Sequence, residues 1–286
     1  MRTVDEACGI AQAAAVVGDW WNLLVLREIA RGHLRFDELA TELGISRKVL
    51  TQRLRHLIEH GVLERRPYQR APVRYRYLLT ERGQALLPVL VTMQDWADRW
   101  LLGDGALTAT STGAGADANR MAALPGTPVP PGLALPCADG RPRDVVDPDA
   151  RMTVLFTYPA TSAPHPLPDY WGEIPGAPGC TLENRLFRDR WPEFLDAGVA
   201  VHGVSTQRPD EQAAFAAAES VPYPLLSDVD LALTATLRLP TFRAAQQLRL
   251  KRLILLIDAD RTVRRVLYPV VDIPAAVTES LALAMP

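Results

Sequence analysis

A single cysteine, Cys180, follows the pair Pro178-Gly179 and opens the run TLENRLFRDRWPEFLDAG, which reads as a helix. The unpaired amides and the dipole at a helix N-terminus favour a thiolate over a thiol, and a nearby arginine lowers the thiol pKa further. A thiolate so placed attacks one oxygen of a peroxide and becomes a sulfenic acid. A different chemistry is written upstream, in GISRKVLTQRLRHLIEHGVLERR. There Leu50, Leu54, Leu57 and Ile58 recur at helical spacing and form one apolar stripe. Lys48, Gln52, Arg55 and Glu59 fall on the opposite face, with Thr51 beside them and Arg47 at the opening turn after the capping Ser46. Such a helix sits on a core while offering donors to base edges and phosphates.

The elements that must hold these residues differ between the two halves of the 286-residue chain. In the first half, FDELATEL is a helix stopped by Gly44, and with the basic helix it makes a helix-turn-helix. VLERRPYQ and VRYRYLLT are two strand-like runs joined by a basic loop with Pro72, a wing that brings Arg65, Arg66, Arg70 and Arg74 near backbone phosphates. A closing helix from Glu81 to about Leu101 carries Leu86, Leu90, Met93, Trp96 and Trp100 along one side. The second half alternates: strand MTVLFTYP, the Cys180 helix, strand VAVHGVST, helix PDEQAAFAAAESV, turn PYPLLSD, a strand pair RLILLIDAD and TVRRVLYPV, and helix PAAVTESLALAM. This order predicts a mixed α/β sheet domain. Between the halves, GDGALTATSTGAGADANRMAALPGTPVPPG is small, polar and Pro/Gly-rich. The expected division is therefore a winged helix-turn-helix DNA-binding domain over 1–103, a flexible linker over 104–129 and an α/β domain over 130–286.

Composition narrows the function classes. Apolar residues make up 48% and charged residues 22%, and no apolar run reaches the roughly 20 residues that span a bilayer. The N-terminus has acids where a secretion signal has a basic start, so a cytoplasmic protein without a membrane partner is expected. Three cysteines, Cys8, Cys137 and Cys180, are too few and too scattered for a disulfide framework or zinc site. Charge is uneven: Arg47 to Arg76 holds nine basic residues and two acids, although the whole chain carries a net charge of −2. A dense basic segment attracts phosphate even on a slightly acidic protein.

The stretch from Ala7 to about Trp100 resembles the HxlR-type winged-helix regulators, a branch of the MarR-like proteins, most densely in W-LLVLREI--G--RF-EL, IS-KVLTQRLR-L---G and V-Y-LTE-G-AL-PVL. The resemblance implies a homodimer on a pseudo-palindromic double-stranded DNA operator, with the terminal helices at the dimer contact. It also places Cys8 where some relatives carry a redox-sensing thiol; a small buried residue without chemistry is the alternative. Residues from about 130 to 285 resemble a peroxiredoxin of the bacterioferritin-comigratory, or peroxiredoxin Q, branch, through VLFTYP…PGCTLENRLFRD, GVAVHGVST, PYPLLSD and KRLILLID. That implies a thioredoxin-like fold, with Cys180 at the peroxidatic position and Arg252 at the position of the arginine beside it.

The departures from that pattern matter. Ala177 stands where the family has a threonine or serine, and Thr181, next to Cys180, is the remaining hydroxyl in the motif. Arg185 occupies the common resolving-cysteine position, and the insertion ATSAPHPLPDYWGEIPGA separates the strand from the cysteine. A one-cysteine mechanism then needs an external thiol reductant, or Cys137 or Cys8 as partner. The expected function is a DNA-binding transcription regulator whose C-terminal thiol domain senses or reduces peroxide through Cys180. A one-cysteine thiol peroxidase with an accessory DNA-binding domain is an alternative; a regulator whose silent peroxiredoxin-like domain serves ligand binding or dimerisation is another. No cofactor or metal is expected: His165 and His202 lack ligand spacing, and His56 and His60 read as a solvated helix face. Trp20 and Trp21 read as core or interface residues. RAAQQLRLKR reads as a solvated helix, with a second anion patch as the alternative.

Overall fold

The computed structural model describes residues 7–285 apart from 112 and 163; the N-terminal acids Asp5 and Glu6 lie outside the described residues. Two compact units are present, Met1–Leu90 and Val91–Pro286.

The first unit begins with helices α1 Gly9–Val17, α2 Trp20–Ala30, α3 Phe36–Leu43 and α4 Arg47–Glu59. The α3–α4 turn depends on Gly44, whose φ of 58° is a left-handed conformation that costs a residue with a Cβ. Ser46 then caps α4, its hydroxyl accepting from the Val49 N–H at 3.3 Å. Leu50, Leu54 and Leu57 are buried against Val25, Leu26 and Leu39, so the apolar stripe of α4 faces the core as its spacing predicts. Strands β1 Leu63–Arg70 and β2 Val73–Leu79 follow as an antiparallel hairpin, paired from Leu63↔Leu79 to Arg70↔Val73.

Two local expectations change here. His56 and His60 are not a solvated face. His56 Nε2 meets the Val16 carbonyl at 2.9 Å, His60 Nδ1 meets the His56 carbonyl at 2.8 Å, and the rings lie 4.2 Å apart. The closing helix is two helices, α5 Glu81–Gln84 and α6 Leu87–Trp100, because Pro88 has no N–H to continue the ladder. Of the stripe on that helix, Leu86 and Leu90 pack on the core while Met93, Trp96 and Trp100 are about half exposed. Trp21 packs on the core, and Trp20 is exposed.

The second unit runs α7 Ala116–Ala122, β3 Ala134–Pro136, β4 Pro142–Asp144, β5 Met152–Thr157, a 3-10 turn Asp169–Glu173, α8 Cys180–Asp196, β6 Val199–Ser205, α9 Pro209–Glu219, β7 Leu225–Ser227, α10 Ala232–Leu237, β8 Thr241–Ala244, β9 Gln247–Leu250, β10 Leu253–Asp258, β11 Val263–Leu267 and α11 Ile273–Ala284. Its main sheet has the order β11-β10-β5-β6-β7. Strands β5, β6 and β7 are parallel neighbours, and β10 is antiparallel to both β5 and β11. This is a thioredoxin-like arrangement. Both faces are covered: Met152, Val154 and Phe156 pack with Phe187 of α8 and Val277 of α11, while Leu155 packs the other way with Leu233 of α10 and Leu253. A two-sided sheet explains why MTVLFT and LILLI read as continuous apolar runs.

Three segments depart from their sequence reading. PYPLLSD contains the edge strand β7 rather than only a turn. RAAQQLRLKR forms the β8–β9 hairpin instead of a helix, turning at Ala245 and Gln246, both at positive φ. That conformation belongs to hairpin turns normally marked by Asn-Gly, and the marker is missing. Within 104–129, read as a flexible linker from its composition, Ala109 and helix α7 are built into the second unit. Ala109 is fully buried and donates its N–H to the Pro175 carbonyl at 2.9 Å. Asp117 of α7 accepts from Lys251 Nζ at 2.9 Å, and Arg120 forms a two-pronged pair with Asp98 of α6 at 2.7 and 2.5 Å. Polar, small residues become ordered where charge pairs and main-chain bonds hold them, which composition does not display.

Candidate thiol site and nucleic-acid interface

Cys180 is the first residue of α8, and Gly179 before it has φ 106°. A Cβ on Gly179 would lie 2.5 Å from Ile273 Cδ1, so both conformation and space require glycine at this turn. The thiol is 4% exposed. It donates to the Ala177 carbonyl at 3.6 Å, receives the Ala160 N–H, and has Arg252 Nη2 at 3.6 Å. Arg252 is the largest fully buried side chain among the described residues. Its Nη2 also reaches the Pro178 carbonyl at 3.0 Å and the Ala177 carbonyl at 3.4 Å, and its Nη1 is paired with the buried carboxylate of Glu183, one turn along α8.

The electrostatics differ from the sequence expectation of a depressed thiol pKa. Burial pushes the Cys180 thiol up, Arg252 and the Ala160 N–H pull it down, and Glu183 pushes it up again, leaving it above its ordinary value. Burial likewise raises Glu183, to about 7, against the pull of Arg252. Glu183 and the Ala160 amide are parts of the site that sequence reasoning missed. Glu183 was visible only as a helical position three residues after the cysteine, and the Ala160 contact has no sequence signal.

The other residues of the motif are distributed as follows. Ala177 is fully buried beneath the thiol and supplies a carbonyl where the resemblance expects a hydroxyl. Thr181 is half-buried, and among the described residues its hydroxyl makes no hydrogen bond to Cys180. Arg185 is exposed and paired with Glu219 of α9 at 2.6 and 2.9 Å. Cys137 lies in the cluster on the opposite sheet face from Cys180, and burial raises its thiol. The sheet therefore stands between them. Cys8 sits at the N-cap of α1, its sulfur accepting the Ala11 N–H at 3.5 Å. The insertion carries Trp171 and Ile174 into an apolar cluster with Phe242 and with Ala160 and Ala177, whose main chain hydrogen-bonds the thiol.

On α4, Ser46, Arg47, Lys48, Thr51, Gln52 and Arg55 are all exposed on one face. Arg47 pairs with Asp37 at 2.8 Å and stacks over Phe36, and the Thr51 hydroxyl donates to the Arg47 carbonyl at 2.7 Å. Arg53, the other basic residue of α4, is turned inward to Asp19 at 3.2 Å. On the hairpin, Arg65, Arg66, Arg70 and Arg74 are exposed; Arg65 stacks on Tyr75 and Arg66 pairs with Glu64 at 2.5 Å. Arg35 and Arg76, bridged to each other and both over the Tyr68 ring, extend this basic surface and were missed in the sequence.

Histidine and carboxylate sets are tied up elsewhere. His202 is buried, with Nδ1 against the Val145 carbonyl at 3.2 Å and Asp147 3.9 Å from Nε2, a carboxylate that its spacing in the chain hides; burial lowers its pKa. Glu28, His33 and Glu42 bring ligand-type atoms within 4.8 Å, but the Glu28 oxygens accept from Arg27 and Arg31. Among the described residues no single helix is long and apolar enough to cross a membrane.

Fold and site together define a winged helix-turn-helix protein with a thioredoxin-like second unit. Residues 16–104 match the HxlR-like helix-turn-helix family, and residues 174–266 match the AhpC/TSA family. An uncharacterized HTH-type transcriptional regulator of Mycobacterium bovis is 43% identical over 96 residues, which is 34% of this chain and 61% of that relative's length. A Synechocystis HTH-type regulator is 38% identical over 109 residues, 38% of this chain and 81% of the relative. The Bacillus subtilis regulator YodB is 37% identical over 31% of this chain and 80% of its own. Among solved structures, peroxidoxin BcpB of Mycobacterium tuberculosis is similar at 30% identity, over 56% of this chain and 95% of that one, with a TM-score of 0.47. The chain belongs to the HxlR-like helix-turn-helix family, and its second unit carries an AhpC/TSA segment.

Proposed function

We propose that this protein is a cytoplasmic, homodimeric transcription regulator that binds an operator in double-stranded DNA and is tuned by the redox state of Cys180. The carrying observation is the single exposed face of α4, where Lys48, Gln52 and Arg55 stand clear of the core with the basic hairpin beside them. Bases are read by Gln52 and Arg55 in this proposal, and phosphates by Arg47, Lys48, Arg65, Arg66, Arg70 and Arg74. Homodimerisation is supported in the second unit by the half-exposed Met93, Trp96 and Trp100 of α6 and, separately, in the first unit by exposed Ile10 and Trp20, apolar side chains that a second copy can cover.

In the redox step, the Cys180 thiolate attacks the terminal oxygen of a hydroperoxide. The S–O bond forms as the O–O bond breaks, the electron pair leaves with the alkoxide, and the alkoxide takes a proton to become the alcohol. An external thiol condenses with the sulfenic acid, releasing water, and a second thiol frees Cys180 as a disulfide leaves. This step is supported by Arg252 at 3.6 Å from the sulfur. Transmission to DNA is supported by Ala109, which donates to the Pro175 carbonyl on the loop before Cys180, and by α7, whose Arg120 pairs with Asp98 of α6.

A second reading, a silent peroxiredoxin-like unit, is favoured by Ala177, by the Arg185–Glu219 pair and by the burial of the thiol. Operator titrations with reduced and peroxide-treated protein separate the two. The first reading expects a change in affinity that Cys180→Ser abolishes; the second expects none.

A further inference from the structure

Arg249 is a second buried guanidinium of this unit, near enough to Cys180 to act on it through space. It lies on β9 directly opposite Phe242 in the β8–β9 ladder, so the two side chains share one face of the hairpin. The Phe242 ring packs 6.2 Å from Trp171, in the cluster that includes Ala160 and Ala177, two residues whose main chain hydrogen-bonds the Cys180 sulfur. Arg249 is 9% exposed, and its buried Nε meets no hydrogen-bond partner among the described residues. Among the described residues, Glu211 and Cys180 act on it through space. A buried guanidinium without a contacting anion is costly, and its planar donors match a carboxylate. Arg252 cannot serve that purpose, because Glu183 and the Ala177 and Pro178 carbonyls already occupy it.

We propose that Arg249 is the specificity residue of the Cys180 site and that it binds the carboxylate of an organic hydroperoxide whose apolar part lies along Trp171 and Phe242. This deepens the redox reading above and rests on it. The carboxylate takes no part in the bond changes; it fixes the position of the terminal peroxide oxygen relative to the sulfur.

The test follows Cys180 oxidation in the full-length chain by stopped-flow, using a long-chain fatty-acid hydroperoxide, its methyl ester and hydrogen peroxide. The native protein is expected to react with the acid about tenfold or more faster than with the ester, the scale of a charge-assisted pair. Arg249→Gln brings that ratio close to one, and Arg249→Lys restores part of it. Equal rates for acid and ester in the native protein overturn the proposal whatever the variants do, as does a preference that survives in Arg249→Gln. A thiol inert to all three peroxides overturns the redox reading itself and this inference with it, a result distinct from oxidation without preference.

Discussion

The guanidinium of Arg252 places Nη2 3.6 Å from the sulfur of Cys180 while Nη1 is held by the buried carboxylate of Glu183. One arginine thus faces two acids that compete for its charge, and the thiol receives only part of its stabilisation. The site is a thiol–guanidinium–carboxylate row rather than a thiol beside a free cation.

The first consequence concerns pH. Because burial and Glu183 leave the thiol above its ordinary value, the oxidation rate of Cys180 is expected to keep climbing past neutral pH as thiolate forms. Glu183→Gln removes one upward push and moves the profile to lower pH. The same change strips Arg252 of its counter-charge, at a cost of about 3 kcal/mol or more in stability. Alkylation rate against pH, with denaturant melts of both proteins, reads both effects; an unmoved profile rejects the competition.

Asp228 gives a stability signature. It is fully buried, accepts from the Leu233 and Thr234 amides, and burial raises its pKa to about 6 despite those bonds. A carboxyl whose folded pKa exceeds its unfolded one contributes fully below the unfolded value and loses that contribution as pH rises through the folded one. The second unit should therefore lose on the order of 3 kcal/mol between about pH 4 and 6 from this group, and Asp228→Asn should flatten that slope. Denaturant titrations across this window check it; an identical slope in the variant assigns the effect elsewhere.

Much of this arrangement is legible in the sequence. The stripe Leu50, Leu54, Leu57 fixes which face of α4 is free, and Pro178-Gly179 fixes where α8 starts. What is hidden comes from contacts distant in the chain. Nothing near Glu183 announces Arg252, 69 residues away, and nothing in Ala245-Gln246 announces a hairpin. The 104–129 segment reads as loose because its anchors, Lys251, Tyr268 and Pro175, lie far along the chain.

That segment yields a protease prediction. Limited digestion should spare the chain around Ala109 and within α7 while the second unit is folded, although its composition suggests an easy target. Asp117→Ala, which leaves Lys251 buried at 8% exposure without its partner, should cost about 3–5 kcal/mol and open the segment to cleavage. Equal cleavage in native protein and variant contradicts the packing.

On the DNA side, Arg55→Ala should weaken operator binding by about 1–3 kcal/mol at fixed salt and relax specificity at one base position. Arg70→Ala should weaken all sequences alike and reduce the salt slope by about one. Fluorescence anisotropy over a salt series distinguishes the two patterns; an unchanged affinity in Arg55→Ala rejects this recognition face.

The central claim, that one chain joins operator binding to thiol chemistry, is tested most directly by operator affinity before and after peroxide treatment in a Cys8→Ser, Cys137→Ser background, with sulfenic acid formation at Cys180 followed by mass. The account predicts that affinity changes in step with Cys180 oxidation and returns on reduction by an external thiol. Full oxidation of Cys180 with an unaltered operator isotherm would contradict it.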